Sequence, residues 1–197
     1  MRLFVALSPP ATALAELEEA AALVRASWPE LRWVGADRWH VTLAFLGEVD
    51  DGKLDELNRR LERAAARHVG QSLAIGPGNA FSSIKRARVL IVHIEGQTTA
   101  LGALAASVAA GARRAGAPSE DEGSGAGPGG RPPGTSRRYR PHLTLARTRQ
   151  PSDLSGPVQA LEGFHGQPWT PTEVHLIRSV LGSRPRYEAI GSWPLRG

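Results

Sequence analysis

The chain has 197 residues, 41% of them hydrophobic, which is enough to bury a sizeable core and too apolar for wholesale disorder. It has no cysteine, which excludes disulfides and thiolate metal sites and makes the cytoplasm the default compartment. The formal charge of +5, almost wholly arginine, leans toward an anionic partner such as nucleic acid, although arginine beside abundant Ala, Gly and Pro also follows from a GC-rich genome.

The opening RLFVALS (2–8) reads as a strand. Its apolar run is too short for a signal segment, and no small-x-small cleavage pattern follows it. Residues 9–27 read as a helix, with Pro at the start and Leu14, Leu17, Ala21 and Val24 at helical spacing. ELRWV and RWHVTLAFLG read as strands. Residues 51–68 form an amphipathic helix in this reading, with Leu54, Leu57, Leu61 and Ala65 along one face. SLAIGPGNAFSS and RARVLIVHIEG are strand-like and separated by turn residues. A further helix is expected over 98–116, with Leu101, Leu104 and Val108 inward.

Composition then breaks: residues 117–136 are almost entirely Gly, Pro, Ser and acidic, which predicts a flexible loop. RPHLTLAR, TEVHLIRSVL and RYEAIGSWPL close the chain as strands. No apolar run approaches the length of a membrane span. The order of elements predicts an α+β protein of two similar lobes, related by an approximate two-fold axis.

One pattern is written twice. His-x-Thr-Leu begins at His40 and again at His142. Strand side chains alternate, so His40 and Thr42 share one face while Val41 and Leu43 anchor the other. His142 and Thr144 stand in the same relation to Leu143 and Leu145. If the two strands occupy equivalent lobes, two imidazoles and two hydroxyls meet across a cleft. That set suits phosphodiester cleavage, one imidazole taking a proton and the other giving one, while hydroxyls and arginines hold the non-bridging oxygens.

The plainer reading is a half-buried His and Thr that merely pack. At ordinary composition Thr-Leu follows at these positions after about 0.5% of histidines, so two hits among six are expected on the order of one time in a thousand. A zinc site needs a third ligand, and neither motif has one at ligand spacing; His68, His93, His165 and His175 are scattered, which disfavours a metal. Alternation also puts Arg38 and Arg140, two residues before each histidine, on the motif face, with surface solvation as the alternative.

These segments resemble the two-histidine (2H) phosphoesterase superfamily, and within it the LigT-like RNA 2′,3′-cyclic phosphodiesterases, historically called 2′-5′ RNA ligases. MRLFVAL is similar to the family's first strand, HVTLAFLGEV to its first motif and AFSSIKRARVLIVHIE to its middle strand pair. RPHLTLAR resembles the second motif, and LIRSVLGSRPRYEAIGSWPL the closing hairpin. The resemblance implies a single bilobal α+β domain over 1–197, with two antiparallel sheets forming a central cleft and helices outside. It implies hydrolysis of an RNA 2′,3′-cyclic phosphate to a 2′-phosphomonoester, with neither metal nor cofactor.

By the same resemblance His40 is the proton donor to the departing 3′ oxygen and His142 the base toward water. Thr42 and Thr144 contact the phosphate. Phe45, five past His40, matches an aromatic that stacks on a nucleobase, and Arg147, five past His142, a phosphate-contacting arginine. Arg140 also resembles the family pattern. Strict alternation sends Phe45 and Arg147 to the wrong face, so a bulge must redirect them. The expected partner is RNA with a cyclic phosphate end, tRNA fragments among the candidates, handled by a monomer without membrane association. Alternatives are a phosphodiesterase or ligase of 2′-5′ linkages, an enzyme of small cyclic nucleotides, and a non-catalytic RNA-binding module. The family does not require the insert at 117–136, which reads as an inert loop or as a lid whose acidic residues compete with phosphate.

Overall fold

The computed structural model describes residues 1–81, 83–117, 139–180, 182 and 186–197. The loop expected at 117–136 lies outside the described residues, apart from Ala117, which is buried. In chain order the elements are β1 (Arg2–Leu7), α1 (Ala11–Ser27), β2 (Arg32–Trp33), β3 (Val41–Glu48), α2 (Leu54–Ala65) and β4 (Leu73–Phe81). They continue with β5 (Ala87–Gly96), α3 (Thr98–Arg114), β6 (His142–Ser152), α4 (Ser155–Ala160), β7 (Glu173–Val180) and β8 (Arg186–Pro194).

The strands make two four-stranded antiparallel sheets, β3-β1-β7-β8 and β2-β6-β5-β4. The α+β class and the paired antiparallel sheets therefore match the expectation. The repeat is clearest in the order of elements: β1-α1-β3-α2-β4 and then β5-α3-β6-α4-β7, with β2 and β8 as additions. Each half sends its third strand to the other sheet, giving β3-β1-β7 and β6-β5-β4 as equivalent triplets. This exchange ties the lobes into one unit, because neither sheet is complete from one half of the chain.

Alternation along β1 shows how the layers are built. Leu3, Val5 and Leu7 join the main core with the helices, whereas Phe4 and Ala6 face the opposite way and cluster with Ile177 and Phe45. The helices contribute Leu17 and Val24 from α1, Leu57 and Leu61 from α2, and Leu104 and Val108 from α3. Each fully buried aliphatic side chain contributes roughly 1.5–3 kcal/mol through removal from water.

Some local features depart from the sequence reading. His40 precedes β3 rather than lying within it, because residues Ala36–Arg38 form a 3-10 turn and buried Trp39 leads into the strand. The helix expected over 51–68 divides into a 3-10 turn at Asp51–Lys53 and α2. Helix α4 has no counterpart in the sequence reading: six residues containing Gly156 and Pro157 carry almost no helical signal. Pro157 sits in its first turn, where a missing N–H costs no intrahelical bond. Pro77 is accommodated within β4 by a register shift between Ile75 and Gly78.

Candidate active site

Both motifs contain a bulge, and it falls at the same place in each. In β3, Thr42 pairs with Ala6 and Ala44 with Val5, so Leu43 is an extra residue. In β6, Thr144 pairs with Ile91 and Ala146 with Leu90, so Leu145 is extra. Each bulge places two consecutive residues in the core, Leu43–Ala44 and Leu145–Ala146, all four buried. The face parity then changes: Phe45 pairs with Phe4 and Arg147 with Val89, on the side of Thr42 and Thr144. The redirection that alternation alone forbade is thus supplied at the third residue after each histidine.

The two imidazoles are held by matching bonds. His40 Nδ1 lies 2.7 Å from the Arg38 carbonyl oxygen, and His142 Nδ1 lies 2.7 Å from that of Arg140. A carbonyl can only accept, so Nδ1 carries the hydrogen and donates, and proton exchange falls to Nε2 in both rings. His40 packs on Phe4 at 4.6 Å between ring centroids and meets the edge of Tyr187 at 5.3 Å. His142 meets Phe81 edge-on at 4.6 Å. Buried neighbours lock the backbone behind each ring: Trp39 and Val41 flank His40, and Leu143 follows His142.

One cavity of about 200 Å³ collects His40, Thr42, Phe45, His142, Thr144 and Arg147. Arg38 also lines it, whereas Arg140 is exposed and absent from the lining. Arg140 contributes its carbonyl to His142, and its guanidinium lies near His93. Burial, first, and then Arg140 and His142 hold His93 below the usual imidazole range. Across the cleft, the Tyr139 hydroxyl donates to the Thr42 carbonyl at 2.7 Å, joining the lead-in of β6 to β3.

Sequence reasoning missed Arg32, Trp33, Val34 and Tyr187, all in the cavity wall. Arg32 and Trp33 arrive because β2 pairs with β6, Arg32 opposite Arg147. Two like charges directly opposite on a sheet destabilise it, a cost that an anion between them removes. The strand itself is legible in ELRWV, but the partner it pairs with is not. Trp33 is steadied by its indole N–H to the Trp28 carbonyl at 3.0 Å and by the Arg25 guanidinium at 5.6 Å. Among the described residues the wall thus holds three arginines, Arg32, Arg38 and Arg147, and no carboxylate.

Among the described residues no three His, Asp or Glu side chains gather as a metal site. No described helix is long and apolar enough to cross a membrane. The arrangement can bind a phosphate, donate a proton to it from one side and take one from the other.

The family model described as LigT like Phosphoesterase matches residues 7–91. The chain is 28% identical over 176 residues to an RNA 2′,3′-cyclic phosphodiesterase of Geobacillus stearothermophilus, covering 87% of this chain and 50% of that protein. It therefore spans about half the length of this curated relative. Its fold is similar to TT0787 of Thermus thermophilus, with a TM-score of 0.76, 27% identity, and coverage of 100% of this chain and 99% of the other. It is also similar to E. coli LigT complexed with 3′-AMP, with a TM-score of 0.70, 28% identity, and coverage of 100% and 98%. The exchanged two-sheet fold, the twin motifs on one cleft and these comparisons agree: the chain is similar to the LigT-like phosphoesterases in fold and, over residues 7–91, in sequence.

Proposed function

We propose that this protein is an RNA 2′,3′-cyclic phosphodiesterase that opens a terminal cyclic phosphate to a 2′-phosphomonoester. The observation that carries the reading is the pair of imidazoles, each fixed through Nδ1, lining one cavity with two threonines and three arginines. His142 Nε2 takes a proton from water as the water oxygen bonds to phosphorus. The bond from phosphorus to the 3′ oxygen breaks, and His40 Nε2–H protonates that oxygen. Proton exchange with solvent then restores both rings. Thr42 and Thr144 donate to non-bridging oxygens, and Arg147 and Arg32 stabilise the charge that grows on them. The two imidazole environments are alike in their Nδ1 bonds, so the division into acid and base follows the family resemblance.

The test is a short RNA ending in a 2′,3′-cyclic phosphate, incubated with wild type and with His40→Ala in buffer containing EDTA. Chromatography resolves the product isomers. The reading expects a 2′-phosphate from wild type and none from the variant. An untouched cyclic end contradicts it and turns attention to 2′-5′ linkages. Activity lost only when EDTA is present contradicts the metal-independent route.

A further inference from the structure

A second cavity of about 240 Å³ adjoins the first, sharing Phe45, Arg147 and Tyr187 with it. Arg2, Leu3, Phe4, Gly47 and Ser179 complete its wall. Its floor is the cleft face of the sheet β3-β1-β7-β8. Ala6 pairs with Thr42 at the catalytic end, Phe4 with Phe45 in the middle and Arg2 with Glu48 at the far end. At about 3.3 Å per strand residue, Arg2 stands about 13 Å along β1 from Ala6. The cleft therefore runs from phosphate chemistry, over an aromatic step, to a second cation.

Arg2 is exposed, and its guanidinium makes no hydrogen bond or ion pair with any described residue. This sets it apart from Arg25, Arg59, Arg60 and Arg186, each paired with a glutamate. Its neighbour in register, Glu48, lies instead 3.4 Å from the Met1 amino group. The aromatic step is preformed: Tyr187 meets Phe4 edge-on at 5.0 Å, and Phe45 lies 6.1 Å from Phe4.

We infer that the second cavity receives the RNA chain beyond its cyclic phosphate, the aromatic step taking the last base and Arg2 the internucleotide phosphate that follows it. The inference rests on the cyclic-phosphate reading and extends it. With the cyclic phosphate at the histidines, the polymer leaves its last nucleoside only through the 5′ oxygen. Outward from the histidines the groups are therefore the last nucleoside with its stackable base and then a phosphodiester carrying one negative charge. A cation beyond an aromatic surface is complementary to that sequence of groups. A mononucleotide cannot reach both. The enzyme is thus built for oligonucleotide ends rather than free cyclic mononucleotides.

The experiment compares kcat/KM for a nucleoside 2′,3′-cyclic monophosphate and for a dinucleotide ending in the same cyclic phosphate. Wild type should prefer the dinucleotide by about tenfold or more, the worth of one charge-assisted phosphate contact. Arg2→Gln should remove most of that preference while mononucleotide turnover stays within about twofold, and Arg2→Lys should restore part of it. Equal use of both substrates by wild type overturns the inference, as does a preference that survives Arg2→Gln. If neither substrate is hydrolysed, the proposed function fails on its own. The subsite is then decided by affinity, a dinucleotide 2′-phosphate against a nucleoside 2′-phosphate, where equal binding overturns it and a preference lost in Arg2→Gln supports it.

Discussion

An imidazole whose Nδ1 is committed to a carbonyl changes protonation at Nε2 alone, and this site contains two of them. One must be neutral and the other protonated for turnover, so kcat/KM should trace a bell between pH 5 and 9, whose limbs belong to the pair. A monotonic profile contradicts the two-histidine mechanism. His142→Ala should cost about 10²–10⁴-fold in kcat while RNA affinity is largely retained; a pure binding module has no turnover to lose. Two other histidines govern stability instead. Burial is the leading cause that holds both His93 and His68 below the usual value of 6.5. The unfolded chain therefore takes up protons near that value which the folded chain refuses until lower pH. Stability is intact above it and falls as pH drops toward the folded values. Glu56 and Asp153, both lowered by hydrogen bonds, titrate below 4.5 and do not enter this window. Tm should thus fall between pH 7.5 and 5.5, and the double variant His68→Gln, His93→Gln should fall less. An unchanged slope contradicts the assignment.

At the scale of strands, the bulge decides what the motifs can do. Without an extra residue at Leu43 and Leu145, Phe45 and Arg147 would join the core and the cavity would lose a stacking surface and a cation. The two strands are also coupled directly, by the Tyr139 hydroxyl on the Thr42 carbonyl. Tyr139→Phe removes that hydroxyl bond with little change of shape. It should cost about 1 kcal/mol, read as a fall in Tm of about 2–4 °C for a chain of this size. An unchanged Tm contradicts the tether. The histidine and threonine positions were legible because period-two alternation holds up to Thr42 and Thr144. Alternation fails just after them, yet the failure left a trace: Leu-Ala follows Thr in both motifs, two adjacent apolar residues where a polar one was due. The 3-10 turn before β3 and the six-residue α4 left none, since each is fixed by tertiary packing around Trp39 and Pro157.

Across the whole molecule, the sequence conveyed the α+β class and the doubling but not the exchange of β4 and β7 between sheets. Strand partners far apart in sequence are chosen by packing, and hydropathy patterns do not encode them. That exchange has an electrostatic consequence, because it seats two basic half-sites on one cleft. Arg32 and Arg38 come from the first half of the chain and Arg147 from the second, and no carboxylate among the described lining residues offsets them. With a net charge of +5 behind them, these arginines should make RNA capture salt-dependent. Three phosphate-facing cations, with Arg2 as a fourth on the internucleotide phosphate, predict a slope of about −3 in log kcat/KM against log salt, from roughly −0.7 per contact. The measurement is kcat/KM for a short RNA with a cyclic phosphate end, taken from 50 to 200 mM KCl at fixed pH. Arg32→Gln should make the slope shallower by about one contact's share, since it removes one member of the opposed Arg32–Arg147 pair. A slope near zero in wild type would mean that the arginine cluster does not meet phosphate, and capture would then have to rest on Phe45, Trp33 and Tyr187 alone.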